Sequence, residues 1–437
     1  MKIALIAMSG VRAFNEELTR LGMTLPGFVE RSQVIASLPS LSLLTLAGAT
    51  PERFELEYHE VPDIKNFPVL PACDLAAIST YTAQVKDAYA LAERYKDVGV
   101  TTVIGGLHAT ALPHEALRHC DAVVVGEGEL SWTQLLEDFE RGCLQRVYEP
   151  NGRQFDLALA PLPRFDLLDP EEYNRLTVQT QRGCPWKCDF CAGSVMLTPK
   201  YKIKPVAKVI DEIRAIKQIW PKPFIEFADD NTFVNKKNSK MLMRALADEG
   251  VRWFTETDVS VAEDAELLSL MREAHCAQIL VGFESPNAAA VDGIELNRNW
   301  KKKKVDSYKA AIDRIQSHGI AVIGCFILGL DGDTSGVFDD IRCFVEESGL
   351  FQVQITVMTP FPGTPLYARL KREERLLEET EWGKCTLFDV NFTPKQMSVS
   401  ELEQGLISLG KQLYSEESRS GRVTAFRRQL RRAARSR

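Results

Sequence analysis

Between residues 177 and 358 the chain alternates six short strand-like runs, the first of them alternating in polarity, with longer stretches that place apolar residues at helical spacing. The runs fall at 177–181, 224–228, 251–256, 278–283, 320–328 and 353–358, and the helical stretches at 206–220, 239–248, 265–274, 306–317 and 337–348. Within 206–220, Val209, Ile210, Ile213, Ile216 and Ile219 share one helix face. Such alternation leaves few topologies, because parallel neighbouring strands need right-handed crossovers. The economical α/β solution is a curved parallel sheet, a partial TIM-like (βα)6 barrel, with every strand's carboxyl end on one face. Functional groups are expected at those ends, which read Ala228-Asp229-Asp230-Asn231, Glu256-Thr257-Asp258, Gly282-Phe283-Glu284-Ser285 and Gly329-Leu330-Asp331-Gly332-Asp333. A rim of acids and small polar groups suits a cationic ligand, since carboxylates accept charge-assisted hydrogen bonds from ammonium and hydroxyl groups.

The first 150 residues carry a second alternation. Runs at 75–80, 101–106 and 122–126 are continuous and apolar, as strands buried on both faces are, and further strands are expected at 2–7 and 54–59. Helical stretches at 84–98 and 130–141 separate them. This pattern predicts a doubly wound parallel sheet with a ligand crevice outside its carboxyl ends, at Ser79-Thr80-Tyr81, Gly105-Gly106-Leu107-His108 and Gly126-Glu127-Gly128-Glu129. Pro150, Pro161, Pro163 and Pro170 mark a linker running over the surface. The expected organisation is a Rossmann-like domain over 1–147, a linker over 148–170, the barrel over 171–358 and a small, mainly helical C-terminal appendix over 359–437.

Composition bounds the setting. With 45% hydrophobic and 26% charged residues the chain has the balance of a soluble globular protein, and no stretch is apolar for the ~18 residues that a membrane span needs. A cytoplasmic protein without a membrane span is expected, in which ten cysteines do not make a disulfide framework. Net charge is −7, yet the last twenty residues hold eight arginines and no acid. That end reads as a solvated tail or as a basic helical face for an acidic partner. The acidic remainder does not support nucleic-acid binding.

Gly183-Cys184-Pro185-Trp186-Lys187-Cys188-Asp189-Phe190-Cys191-Ala192 gathers three soft ligands in one short loop. Thiolates select iron-sulfur clusters, zinc or copper(I), and a cluster of four irons ordinarily takes four cysteines. Three local ligands imply an iron with an open position for a substrate or cosubstrate. Zinc would need a second Cys-x2-Cys pair or histidines, and unligated thiols are the remaining alternative.

With an aromatic residue just before its last cysteine, this Cys-x3-Cys-x2-Cys loop resembles the signature of the radical S-adenosylmethionine (radical SAM) enzymes. The resemblance implies that Cys184, Cys188 and Cys191 hold a 4Fe-4S cluster whose open iron chelates S-adenosylmethionine. An electron from the cluster then splits that cosubstrate into methionine and a 5'-deoxyadenosyl radical. It also implies that Phe190 lies near the adenine, that Asp229 and Asp230 hold the methionyl amino group, that Glu284 holds the ribose, and that the backbone around Ile323 meets the adenine. Lys301 to Lys304 read as a solvated run, with a grip on the cosubstrate carboxylate as the alternative. Ala274-His275-Cys276 stands where such enzymes usually have Ala-Gly-Cys, which implies a reshaped helix end.

Residues 1–147 resemble the cobalamin-binding domain fused to many of these enzymes. That resemblance implies cobalamin contacts at Ser79, Thr80, Gly105, Gly106, His108, Gly126 and Glu127. Asp-x-His-x-x-Gly, by which a histidine replaces the lower base of cobalamin, occurs nowhere in the sequence, and His108 is also readable as a structural histidine. The expected function is hydrogen abstraction from a small-molecule biosynthetic substrate, continued by cobalamin-dependent C-methylation. Two alternatives stay open. One is cobalamin-independent dehydration, epimerisation or cyclisation on a scaffolding N-terminal domain, and the other is a non-catalytic metal or cobalamin binding module. A reductant such as flavodoxin or ferredoxin is implied, and a partner protein is left open.

Overall fold

The structure, a computed structural model, describes residues 1–11, 13–20, 38–193 and 200–435. The end of the basic tail, Ser436 and Arg437, lies outside the described residues, as does 21–37 of the N-terminal domain.

The N-terminal elements are β1 (Lys2–Met8), α1 (Glu16–Arg20), α2 (Leu41–Ala49), β2 (Glu55–Val61), β3 (Leu75–Ser79), α3 (Val85–Asp97), β4 (Thr101–Gly105), α4 (Leu107–Ala111), α5 (Pro113–Ala116), β5 (Ala122–Val124), α6 (Trp132–Glu140) and β6 (Val147–Tyr148). The strands form one parallel sheet in the order β2-β1-β3-β4-β5-β6. Side chains alternate across it. Ala4, Ile6 and Ile78 pack under α3 through Ala88, Leu91 and Tyr95, while Ile3 and Leu5 pack on the other face with Leu43, Trp132 and Leu135. Each such fully buried aliphatic side chain contributes about 1.5–3 kcal/mol. Strand order reverses between β1 and β3, and a doubly wound sheet opens its ligand crevice at that reversal.

The barrel comprises β7 (Leu176–Val178), β8 (Gln181–Arg182), β9 (Lys202–Ile203), α7 (Val206–Ile219), β10 (Phe224–Phe227), α8 (Lys236–Ala247), β11 (Arg252–Thr257), α9 (Ala265–Glu273), β12 (Cys276–Glu284), α10 (Tyr308–Ser317), β13 (Ala321–Leu328), α11 (Val337–Ser348) and β14 (Gln352–Val357). Six strands run parallel in the order β14-β13-β12-β11-β10-β7, an open barrel in chain order. Ile225, Phe227, Trp253, Ile279, Val281 and Phe283 belong to the core beneath the helices. The expected strand at 177–181 is divided: β7 ends at Val178, and β8 pairs antiparallel with β9 as a ribbon flanking the cysteine loop.

Three expectations are corrected by packing. The connecting segment is not a surface linker, because Phe165 and Leu168 are buried in the main core. The basic tail is not a solvated coil. After α12 (Pro365–Arg372) and α13 (Val399–Leu413) it forms α14 (Glu416–Arg435), whose Phe426 ring sits 5.1 Å from that of Phe351 and whose Gln429 donates to Asp313 Oδ1 at 2.7 Å. The helix end at His275 keeps its left-handed turn without a glycine, with φ at 64°.

Candidate functional site

Asp229, at the carboxyl end of β10, organises the base of the cysteine loop. Its Oδ1 accepts from Thr180 N at 2.8 Å and Gln181 N at 3.1 Å, and its Oδ2 from the Thr180 and Thr232 hydroxyls. The four acceptor positions of the carboxylate are thereby filled. Asp229 therefore buttresses the loop rather than presenting oxygens to an amino group, a correction to its expected role. Burial lifts its pKa to about 6 against those hydrogen bonds. Asp230 does reach the loop: Oδ2 accepts from Gly183 N at 2.7 Å, and a Cβ at Gly193 would stand 2.6 Å from Oδ1, so a side chain there would displace the carboxylate.

The loop is clamped from several sides. Cys188 bridges antiparallel to Glu295, and Asp189 N donates to Ile294 O at 2.9 Å. Leu366 N donates to Asp189 O at 3.0 Å and Arg369 pairs with the Asp189 carboxylate at 2.8 Å, which ties the C-terminal appendix to the loop. Trp186 donates to Asp258 at 2.9 Å and stacks on Trp300 with ring centres 4.6 Å apart. Phe190 is half-buried and packs against the main core.

Cys184, Cys188 and Cys191 lie within electrostatic reach of one another. Burial pushes the Cys184 thiol up to about 11 and raises Cys188 further, so ligation, not the surroundings, would deprotonate them. Two neighbours favour the thiolates: Asn231 Nδ2 stands 3.7 Å from Cys184 Sγ, and the Lys301 ammonium acts on Cys188. Among the described residues no three ligand-type side chains converge as they would around a single metal ion. Three sulfur donors, one with an amide N–H directed at it, fit an iron-sulfur cluster, whose sulfurs are tuned by such hydrogen bonds.

Acids gather inside the barrel. Glu226 on β10 is paired with Arg175, while Glu256 on β11 is exposed to the lumen. Its carboxyl is nevertheless raised to about 7, first by desolvation and then by Glu226, Asp230 and Glu284. Glu284 ends β12 after a bulge, with a left-handed φ of 62°, and accepts from Lys301 Nζ at 2.5 Å. Lys301 is buried, unlike Lys302 and Lys304, which face Asp292 and Glu263 at the surface. The reading of 301–304 as a solvated run is wrong for its first member. Ile323 is also misplaced by sequence reasoning: it precedes the carboxyl end of β13 by five residues, or roughly 16 Å at ~3.3 Å per residue. Phe326 to Gly329 occupy the end that it was expected to reach.

Outside the carboxyl ends of β3, β4 and β5 lies a cleft of about 320 Å³ lined by Ser79, Thr80, Gly105, Gly106, Gly126 and Glu127. A Cβ at Gly106 would fall 2.4 Å from Thr80 O, and its φ is 109°, so the close approach of these loops requires glycine there. Glu127 is committed to the chain itself, to Arg182 at 2.8 Å and Lys202 at 2.5 Å, and Arg182 also pairs with Glu129 at 2.7 Å. These pairs join the cleft to the β8–β9 ribbon. His108 does not line the cleft. It is wholly buried, bonded to Glu115 at 3.1 Å with its ring 5.1 Å from that of Trp382, and burial lowers its pKa. A larger chamber of about 580 Å³ continues from the cleft, sharing Ser79, Tyr81, Leu107, Gln179 and Arg182 with it and reaching Thr177, Ala192 and Glu226 of the barrel.

The sequence profile of the radical SAM superfamily matches residues 178–344, the stretch that carries the cysteine loop and most of the barrel. The chain carries a radical SAM domain. A B12 binding domain matches 68–136 of this radical SAM enzyme, across the cleft-lining strand ends, and a domain of unknown function matches 364–437. The enzyme is 28% identical over 385 residues to bacteriochlorophyllide d C-12(1)-methyltransferase of Chlorobaculum tepidum, covering 86% of this chain and 83% of that one. It is 27% identical over 360 residues to hopanoid C-2 methylase of Rhodopseudomonas palustris, covering 79% and 67%. The radical SAM methyltransferase TsrM from Kitasatospora setae superposes with a TM-score of 0.68 over 99% of both chains at 15% identity, a likeness of fold. A radical SAM enzyme with a B12 binding domain uses a 4Fe-4S cluster, S-adenosylmethionine and cobalamin. No described helix is long and apolar enough to cross a membrane.

Proposed function

We propose that this enzyme is a cobalamin-dependent radical SAM C-methyltransferase acting on a small biosynthetic molecule. One observation carries the reading: the cleft at the carboxyl ends of the N-terminal sheet and the mouth of the cysteine-bearing barrel open into one chamber. Methyl transfer is also the activity named for bacteriochlorophyllide d C-12(1)-methyltransferase and hopanoid C-2 methylase. The bound groups would supply one-electron cleavage of S-adenosylmethionine and a methyl group for the resulting substrate radical.

The chain's own residues hold and orient. Cys184, Cys188 and Cys191 would hold the cluster, with Asn231 stabilising one thiolate and Lys301 another. Asp230 would fix the loop through Gly183, and Glu284, with Lys301 beside it, would face the cosubstrate. Ser79, Thr80, Gly105, Gly106 and Gly126 would cradle cobalamin, while Glu127 would close the rim through Arg182 and Lys202. Glu256 is the lumen group able to hold or release a proton near neutrality. The reading takes 1–147 as the cobalamin domain, 148–170 as an anchored connector, 171–358 as the radical SAM barrel and 359–437 as the appendix. It places the reaction in the cytoplasm, with flavodoxin or ferredoxin as reductant.

The test is anaerobic reconstitution with iron, sulfide and hydroxocobalamin, followed by an absorption spectrum and assay with CD3-labelled S-adenosylmethionine. Four irons per chain, bound corrinoid and a CD3-bearing product are expected. Cluster without corrinoid would favour cobalamin-independent chemistry, and zinc without sulfide would leave only a binding module.

A further inference from the structure

Among the described residues, four charged side chains reach the wall of the 580 Å³ chamber, Glu129, Arg182, Lys204 and Glu226. Each is already paired. Arg182 donates to Glu129 at 2.7 Å, Lys204 to Glu212 at 2.5 Å, and Glu226 accepts from Arg175. The rest of the wall offers hydroxyl and amide groups among apolar side chains, including Met8, Leu41, Leu157, Phe361 and Leu387. A charged substrate group would lose its water here and meet no uncommitted counter-ion among the described residues. Apolar surface would be drawn in instead. The chamber's size lies well within the ~300–1,000 Å³ of ligand pockets.

One polar atom on this wall lacks a partner. Thr177 is 4% exposed and its Oγ1 has no hydrogen bond, whereas its register neighbour Glu226 is turned to Arg175. Of the buried side-chain polar atoms left unpaired among the described residues, it alone belongs to the chamber. An unpaired buried hydroxyl is unfavourable, and a ligand acceptor or donor would relieve it.

We propose that the substrate is a neutral, mainly apolar molecule bearing a hydroxyl or carbonyl group that bonds Thr177 Oγ1. This deepens the methyltransferase reading and rests on it. The corrin ring of cobalamin competes for the same space, so binding is measured on enzyme already loaded with cluster, S-adenosylmethionine and cobalamin.

The probe is tritiated cholesterol, a neutral alcohol on a fused-ring skeleton, delivered from cyclodextrin and followed by equilibrium dialysis. Cholesteryl sulfate and L-tryptophan serve as competitors. Saturable binding of one cholesterol per chain is expected, with cholesteryl sulfate at least tenfold weaker and tryptophan without effect. Thr177→Val should weaken binding about tenfold, and Thr177→Ser should retain it. Failure of cholesterol to bind the loaded enzyme, equal binding of the sulfate, or binding that disappears on cobalamin loading would overturn the inference. Deoxyadenosine release by the same preparation under dithionite separates the two claims. Release without sterol binding removes only the substrate class, and absence of release removes the radical SAM reading.

Discussion

Lys301 Nζ lies 2.5 Å from Glu284 Oε1, and both side chains are more than nine-tenths buried. The pair spans the bulge at the end of β12, where Lys301 also donates to Gly282 O at 3.1 Å. A Cβ at Gly282 would come within 2.7 Å of the same Glu284 oxygen, so the glycine makes room for the pair.

Removing the ammonium alone should be costly. Lys301→Met leaves a buried, unpaired carboxylate and is expected to destabilise the protein by about 3 kcal/mol. The double variant Lys301→Met, Glu284→Gln should recover most of that loss. Urea unfolding of the three proteins checks it, and a single variant as stable as the double would refute the pairing.

Glu256 makes stability depend on pH. Its carboxyl is raised from 4.5 to about 7, so the folded chain binds a proton that the unfolded chain has released. Stability should therefore fall as pH rises from about 4.5 to about 7. Glu256→Gln should be more stable than the parent at pH 8, by roughly 1 kcal/mol once the screening of the open lumen is allowed for, and equal to it at pH 4. Thermal melts across that range read the difference directly.

The ion pairs of Arg182 with Glu127 and Glu129 join the two domains. Arg182→Met should loosen that junction and lower cobalamin retained per chain after gel filtration, with iron content less affected. Retention equal to the parent's would show that the cleft does not need the clamp.

His275 holds a φ of 64°, a conformation that costs a side chain about 1–2 kcal/mol and costs glycine little. His275→Gly should raise the urea midpoint, with a gain of about 0.5–1 kcal/mol expected after the added chain entropy of glycine.

The barrel and the N-terminal sheet are legible because parallel strands covered on both faces are written as continuous apolar runs. Runs such as Ile3 to Ile6 and Ala122 to Val124 need no tertiary knowledge to find. The cysteine loop is legible because its ligands are adjacent in sequence. Lys301 is not, since its partner lies 17 residues earlier and nothing in a run of four lysines marks the buried one. For Asp229 the neighbourhood is readable and the task is not, because sequence shows that an acid ends a strand and not how many backbone N–H groups it already receives. Ile323 falls too early because the strand's apolar run exceeds the part that reaches the rim. The buried side of the connector at Phe165 and Leu168 is hidden behind its prolines.

Asp189 sits between two cysteines of the loop, yet the groups that hold its carbonyl and its carboxylate, Leu366 N and Arg369, belong to the appendix beyond the last barrel strand. Shortening the chain after β14 would thus unfasten the metal pocket and, by stripping Leu366, Phe392 and Leu402 from the main core, weaken the barrel at the same stroke. Cluster retention and barrel stability are therefore tied to one C-terminal segment.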